Sequence, residues 1–167
     1  LPASIGACVR NTTGKTICVT GDGSIQMNIQ ELQTLVTYKM PLKVFVIENE
    51  SYLAIKTTQT SFFHGHFTGS NPASGVVCPD MKKISEAYGI PFFRVSDNES
   101  LTSVINEVLS MDGPVICEIK MHPMQTLFPK SATFMDKETG KMSSAPLEKM
   151  APFMDDELQA ECVYNAK

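Results

Sequence analysis

Four short apolar runs set among segments of helical period constrain this chain more than any other feature. They are TICVT at residues 16–20, KVFVI at 43–47, FFRV at 92–95 and PVICEIK at 114–120. A strand that is apolar at successive positions needs cover on both faces, which is the situation of parallel strands joined by crossover helices. The intervening segments supply that cover. Ile25, Ile29, Leu32 and Val36 recur at i, i+4, i+7 and i+11 with Leu35 beside them, which predicts one amphipathic helix starting at Ile25. Residues 80–88 predict another that stops at Gly89, and residues 99–111 a third with Leu101, Val104, Ile105, Val108 and Leu109 on one side. Residues 2–9, small and apolar behind Pro2, predict a helix ahead of a polar turn at 11–15. The expected fold class is α/β, a doubly wound and mostly parallel sheet with helices on both faces.

A chain of 167 residues suits one domain with a real core. Its formal charge of -4 comes with no basic block, so no nucleic-acid partner is expected. No apolar run reaches the roughly 18–20 residues of a membrane span, and a cytoplasmic protein without a membrane partner is expected. Cys8, Cys18, Cys78, Cys117 and Cys162 are odd in number, scattered and without a CxxC pair, which predicts buried free thiols. The chain opens on Leu1 inside a helical segment, so a piece of a longer protein is expected. Within it, residues 1–130 are expected to form the α/β domain. Residues 130–151 are polar, Lys-rich and aperiodic, so 131–167 read as a C-terminal tail or lid.

The stretch VTGDGSIQMN, residues 19–28, places a carboxylate between two glycines where a strand gives way to a helix. In a doubly wound sheet, ligands sit at the carboxyl ends of the strands, where helix N-termini direct backbone N–H groups at anions. Gly21, Asp22, Gly23 and Ser24 lie at one such end, and Glu48, Asn49 and Glu50 at the end of the next strand. A diphosphate can accept hydrogen bonds from the amides of Gly23 and Ser24. Asp22 alone would repel it, so a divalent cation bridging the two gives the carboxylate its purpose. Mg²⁺ takes about six hard oxygens, commonly one or two carboxylates plus substrate phosphates. Asp22, the Asn49 amide and a nearby backbone carbonyl would provide three.

GDGSIQMNIQELQTL followed by PLKVFVIENESY resembles the diphosphate-binding motif of thiamin-diphosphate enzymes, and more narrowly the acetolactate synthase and 2-oxoacid decarboxylase superfamily. LPASIGAC at the start, ISEAYGI at 84–90, DGPVICEI at 112–119 and LFP at 127–129 follow in the family's order. The resemblance implies thiamin diphosphate and Mg²⁺ as cofactors, with FAD possible in the parent enzyme. It implies Asp22, the Asn49 side chain and the Ser51 backbone carbonyl as metal ligands, and Gly21, Gly23 and Ser24 beside the diphosphate. Tyr52, Leu53 and Ala54 correspond to the stretch lining the thiazolium and substrate pocket. No catalytic residue is assigned to this chain, because the family's activating glutamate belongs to an N-terminal pyrimidine-binding domain of a neighbouring subunit. A homodimer or homotetramer acting on a 2-oxoacid such as pyruvate is implied.

Two departures bear on the chemistry. Glu48 stands where the family has the first of two asparagines, a position that is not a metal ligand. Leu53, Ala54 and Ile55, then Thr57, Thr58 and Gln59, stand where acetolactate synthases carry Gly-Met-Val and Gln-Trp-Gln, and the chain has no tryptophan. A deoxysugar-type carboligase or a simple 2-oxoacid decarboxylase is therefore an alternative within the family, and a degenerate cofactor-binding or assembly module is one outside turnover. A Mg²⁺-dependent phosphotransferase or phosphatase would also place an aspartate at a strand end, but would want a second aspartate close by. Four other features carry plainer expectations. His64 and His66 read as a loop pair, Met27 as a core or cofactor contact, and Phe62, Phe63 and Phe67 as a lid or loop packing. Residues 155–157 read as an acidic helix start. Glu48 and Glu50 are not expected to form an acid/base pair.

Overall fold

The computed structural model describes residues 1–11, 14–123, 125, 128–131, 133–135 and 138–164. Leu127 of the LFP stretch lies outside the described residues. Two compact units divide the chain, Leu1–Pro123 and Met124–Lys167.

The first unit is a four-stranded parallel sheet. Its strands are β1 (Thr16–Gly21), β2 (Leu42–Glu48), β3 (Phe92–Val95) and β4 (Val115–Lys120), in the spatial order β1-β2-β4-β3. Helices cover both faces, as expected of a doubly wound fold. On one face α1 (Pro2–Arg10), α3 (Leu32–Thr37) and α5 (Met81–Tyr88) bring Cys8, Leu32, Leu35 and Met81 against Cys18, Val44, Val46 and Ile116. On the other, α6 (Asn98–Ser110) packs Leu101, Val104, Ile105 and Val108 against Phe45, Val95, Val115 and Cys117.

The helix ends follow their local chemistry. Asp80 and Asp97 accept N-terminal amide hydrogen bonds from Lys82 and Ser100, and Gly89 closes α5 in the left-handed conformation at φ 67°. The Ser100 amide bond holds the Asp97 carboxyl below its ordinary range.

Lys43 is fully buried in β2, flanked by apolar neighbours. Its ammonium donates to the carbonyls of Met111 and Gly113 at 2.7 and 2.6 Å, and Lys15 donates to that of Leu109. α6 carries no basic residue in its last turn, so lysines from elsewhere in the fold meet the negative end of its dipole. Burial first, then the charge of Lys15, lowers the affinity of Lys43 for its proton.

The helix expected from Ile25 is not continuous. α2 (Asp22–Ile25) runs into a 3-10 stretch (Gln26–Glu31) with a non-helical residue at Asn28 (φ -141°, ψ 33°) before α3 begins. The apolar face survives the break, with Ile25, Leu32 and Leu35 buried. Met27 is 81% exposed, which overturns its reading as core filler. Of the thiols, Cys8, Cys18 and Cys117 are buried as expected, while Cys78 is half-buried and Cys162 exposed.

The second unit contains an antiparallel pair, β5 (Thr133–Met135) with β6 (Met142–Ser144), a bridge between Lys130 and Ala151, and α7 (Asp156–Tyr164). Asp155 caps α7 by accepting from the Leu158 amide at 2.8 Å, so the acidic residues do begin a helix. Among the described residues no helix is long and apolar enough to cross a membrane.

Candidate diphosphate and metal site

β1 and β2 are adjacent and parallel, with Gly21 in register with Ile47, so their carboxyl ends open at the same edge of the sheet. Asp22 leaves β1 there and is only 2% exposed. Its Oδ1 accepts the Gly23 N–H at 2.7 Å, and its Oδ2 accepts the N–H groups of Asn49 and Glu50 at 3.2 and 3.0 Å. One carboxylate therefore ties together two strand ends 27 residues apart. Glu50 turns through the left-handed region (φ 56°), which brings its amide into this set. No lysine, arginine or histidine among the described residues forms an ion pair with Asp22.

Asn49 and Ser51 are buried beside it. The Asn49 Oδ1 accepts from the Ser51 amide at 3.0 Å and from the Ser51 hydroxyl at 2.9 Å. The Tyr52 N–H donates to the Ser70 carbonyl, and α4 (Leu53–Phe62) starts with the Lys56 N–H bonded to the Tyr52 carbonyl. The Ser51 carbonyl thus lies one residue before the first acceptor of this helix.

Gly23 is buried without a left-handed backbone, and what it needs is space. A Cβ there would fall 2.1 Å from Cε1 and 2.4 Å from Cδ1 of Tyr52, so the ring lies directly against the Gly23 backbone. Gly21 and Leu53 are half-buried at the rim, and Ser24 and Ala54 are exposed.

The neighbouring Glu48 has a basic partner. Its carboxylate pairs with Lys120 Nζ at 2.6 Å, the residue in register with it on β4. Cys78 is a neighbour that sequence reasoning missed, since nothing in GVVCPD marks it. Burial first, then the negative charges of Asp22 and Glu48, pushes its thiol above the ordinary range.

The structure brings Asp22, Gly23, Asn49, Ser51 and Tyr52 into one locus. His64 and His66 lie apart, on the loop after α4, and no group of three metal-ligating His, Cys, Asp or Glu side chains occurs among the described residues.

A buried carboxylate without a basic partner is an arrangement that a bound cation resolves. Oδ1 of Asp22 has one protein donor and keeps a lone pair free, and the Asn49 carbonyl oxygen opens when the Ser51 hydroxyl rotates away. These hard oxygen donors fit Mg²⁺.

The family model described as thiamine pyrophosphate enzyme, C-terminal TPP binding domain, matches residues 1–119. The acetolactate synthase large subunit of Cyanidium caldarium is 35% identical over 132 residues, 79% of this chain and 22% of that protein. Acetolactate synthase 2, chloroplastic, of Brassica napus is 33% identical over 144 residues, covering 81% of this chain and 22% of that protein. Among solved structures, the Rhodococcus jostii RHA1 thiamine diphosphate-dependent 4-hydroxybenzoylformate decarboxylase superposes with a TM-score of 0.66. It is 26% identical, over 73% of this chain and 22% of that one. The chain spans 22% of the length of these relatives. A parallel sheet covered on both faces, a Gly-Asp-Gly bend between its first strand and helix, and a match over residues 1–119 place this chain in the C-terminal TPP-binding domain family of thiamine pyrophosphate enzymes.

Proposed function

We propose that this domain holds the diphosphate of thiamin diphosphate through Mg²⁺, within a 2-oxoacid decarboxylase or carboligase resembling the acetolactate synthase large subunit. The observation that carries the reading is the buried Asp22 carboxylate, which has amide donors but no cationic partner among the described residues. Asp22, the Asn49 carbonyl oxygen and the Ser51 backbone carbonyl would hold the metal. The Ser24 amide at the start of α2, next to Gly21, and the Gly23 amide once released from Asp22 Oδ1 would meet the diphosphate oxygens. The Glu48–Lys120 pair supports this assignment, because it keeps a second carboxylate from competing for the cation.

When bound, the cofactor supplies an electron sink for 2-oxoacid decarboxylation. This chain's own residues bind, orient and shield. Tyr52 covers the Gly23 backbone, and Leu53 and Ala54 follow at the start of α4, where the family's substrate pocket would lie. The proton-transferring glutamate would come from the N-terminal pyrimidine-binding domain of a neighbouring subunit in a dimer or tetramer. Thr57, Thr58 and Gln59 in place of the acetolactate synthase Gln-Trp-Gln favour an acceptor other than that enzyme's own.

Calorimetric titration of thiamin diphosphate with Mg²⁺ into the intact enzyme that carries this domain tests the reading. Saturable heat is expected in the wild type, lost in Asp22→Ala and absent when EDTA replaces Mg²⁺. Undiminished binding by a folded Asp22→Ala protein would overturn the site, and no binding by the wild type would leave a cofactor-free module of the same fold.

A further inference from the structure

α4 presents an inverted pattern: its buried residue is Lys56, while Ile55 and Phe62 are 46% exposed. The Lys56 ammonium is fastened to the Pro123 carbonyl at 2.7 Å, so this outward-facing arrangement of the helix is fixed. At the end of α4 lies a groove of about 440 Å³ lined by Gln59, Phe62, Phe63, His64, His66 and Thr68. That size falls within the range of small-ligand sites. Seven helical steps from Tyr52 to Gln59 carry it about 10 Å along the axis of α4.

The loop that forms the groove is built around Gln59. The Gln59 carbonyl accepts the N–H groups of Phe63 and Gly65 at 3.0 Å each, its Nε2 donates to the Thr68 carbonyl at 2.8 Å, and its Oε1 accepts from the Ser70 hydroxyl at 2.7 Å. Ser70 itself is fully buried. The Gln59 amide is therefore spent on the loop, and what faces the groove is a different set. Phe62 and Phe63 offer ring surface, and His64, His66 and Thr68 offer side-chain polar groups that no other protein group engages among the described residues. No carboxylate and no lysine or arginine lines the groove. His64 sits in the left-handed region at φ 52°, next to Gly65 at 75°, which turns the chain so that both imidazoles come to one cavity.

Aromatic faces beside imidazole and hydroxyl donors, with no anion nearby, complement a ligand with a planar apolar body and a carboxylate. We infer that this groove is a binding site for an aromatic carboxylic acid, held by stacking on Phe62 and Phe63 and by donors from His64, His66 and Thr68. The site is separate from the metal loop and does not depend on the assignment of Asp22.

Phenylacetate is the probe, titrated into the intact enzyme and followed by calorimetry and by the histidine ring signals in NMR spectra. Saturable binding is expected, with the His64 and His66 signals shifting. Phe63→Ala and the double variant His64→Gln/His66→Gln should each weaken it by about tenfold or more, and benzyl alcohol, which lacks the carboxylate, should bind weaker by a similar factor. Because the substituted side chains are exposed, melting temperatures should stay at the wild-type value. Asp22→Ala should leave phenylacetate binding unchanged while removing cofactor binding, which separates failure of this site from failure of the metal site. The inference is overturned by absence of saturation, by equal affinity in the groove variants, or by loss of the probe in Asp22→Ala.

Discussion

Replacing Gly23 by alanine sets two opposing effects against each other at one atom. An alanine in α2 gains about 1 kcal/mol of helix propensity over glycine. Against it stands the new Cβ, 2.1 Å from Tyr52 Cε1 and 2.4 Å from Cδ1, where carbon atoms ordinarily rest about 3.5–4.0 Å apart. The ring must retreat by more than about 1 Å from a buried backbone, and overpacking of this kind costs about 1–3 kcal/mol. Tyr52 is 37% exposed and has somewhere to go, so the lower half of that range applies. Gly23→Ala should therefore destabilise the wild type by about 0–1 kcal/mol. In a Tyr52→Ala background the clash is gone, and the same substitution should stabilise by up to about 1 kcal/mol. The decisive quantity is the coupling between the two substitutions, about 1–2 kcal/mol, read from urea denaturation of the wild type, both single variants and the double variant. A coupling below about 0.3 kcal/mol, within the additivity of independent sites, would mean that the ring does not rest on Gly23.

Two further outcomes follow from the buried core. Lys43→Met keeps most of the side-chain stem but removes the donor from the part-buried Met111 and Gly113 carbonyls, and denaturant melts should show a loss of about 1–3 kcal/mol; a loss under about 0.5 kcal/mol would contradict the role of Lys43 at the end of α6. Burial, then the Glu118 charge, raises the Cys117 thiol from 9.0 to about 11, so the native state keeps a proton that the unfolded chain releases. Stability should fall as pH rises from 9 toward 11, and more steeply in the wild type than in Cys117→Ala.

Much of this architecture was legible because burial leaves a periodic trace. β2 reads as a strand covered on both faces, and α5 and α6 carry their aspartate caps and apolar stripes in plain order. α4 left no such trace: a helix whose buried residue is a lysine and whose isoleucine faces out has the wrong pattern for recognition by periodicity. The break at Asn28 was equally hidden, since the apolar spacing from Ile25 to Val36 tolerates a local 3-10 segment. At the site, Asp22 and Asn49 were visible through motif chemistry. The Tyr52 ring on Gly23, the Lys120 partner of Glu48 and the nearby Cys78 depend on pairings between distant segments, which no local pattern encodes.

The three amides on Asp22 place this carboxylate in a contest. Two of them come from the turn after β2, where Glu50 adopts a backbone conformation that side chains other than glycine resist. A cation reaching Asp22 meets an anion already oriented and already partly neutralised by N–H dipoles. Little chain ordering would then be required on arrival: the free lone pair of Oδ1 would take the ion directly, while the Asn49 oxygen would first give up its bond from the Ser51 hydroxyl. Such a locus would favour charge density, because a small divalent ion gains more from a partly neutralised carboxylate than a monovalent ion of similar size. Grip on such a cation and closure of the β1–β2 junction would be two readings of one balance, and substitutions in the 49–51 turn should move both together.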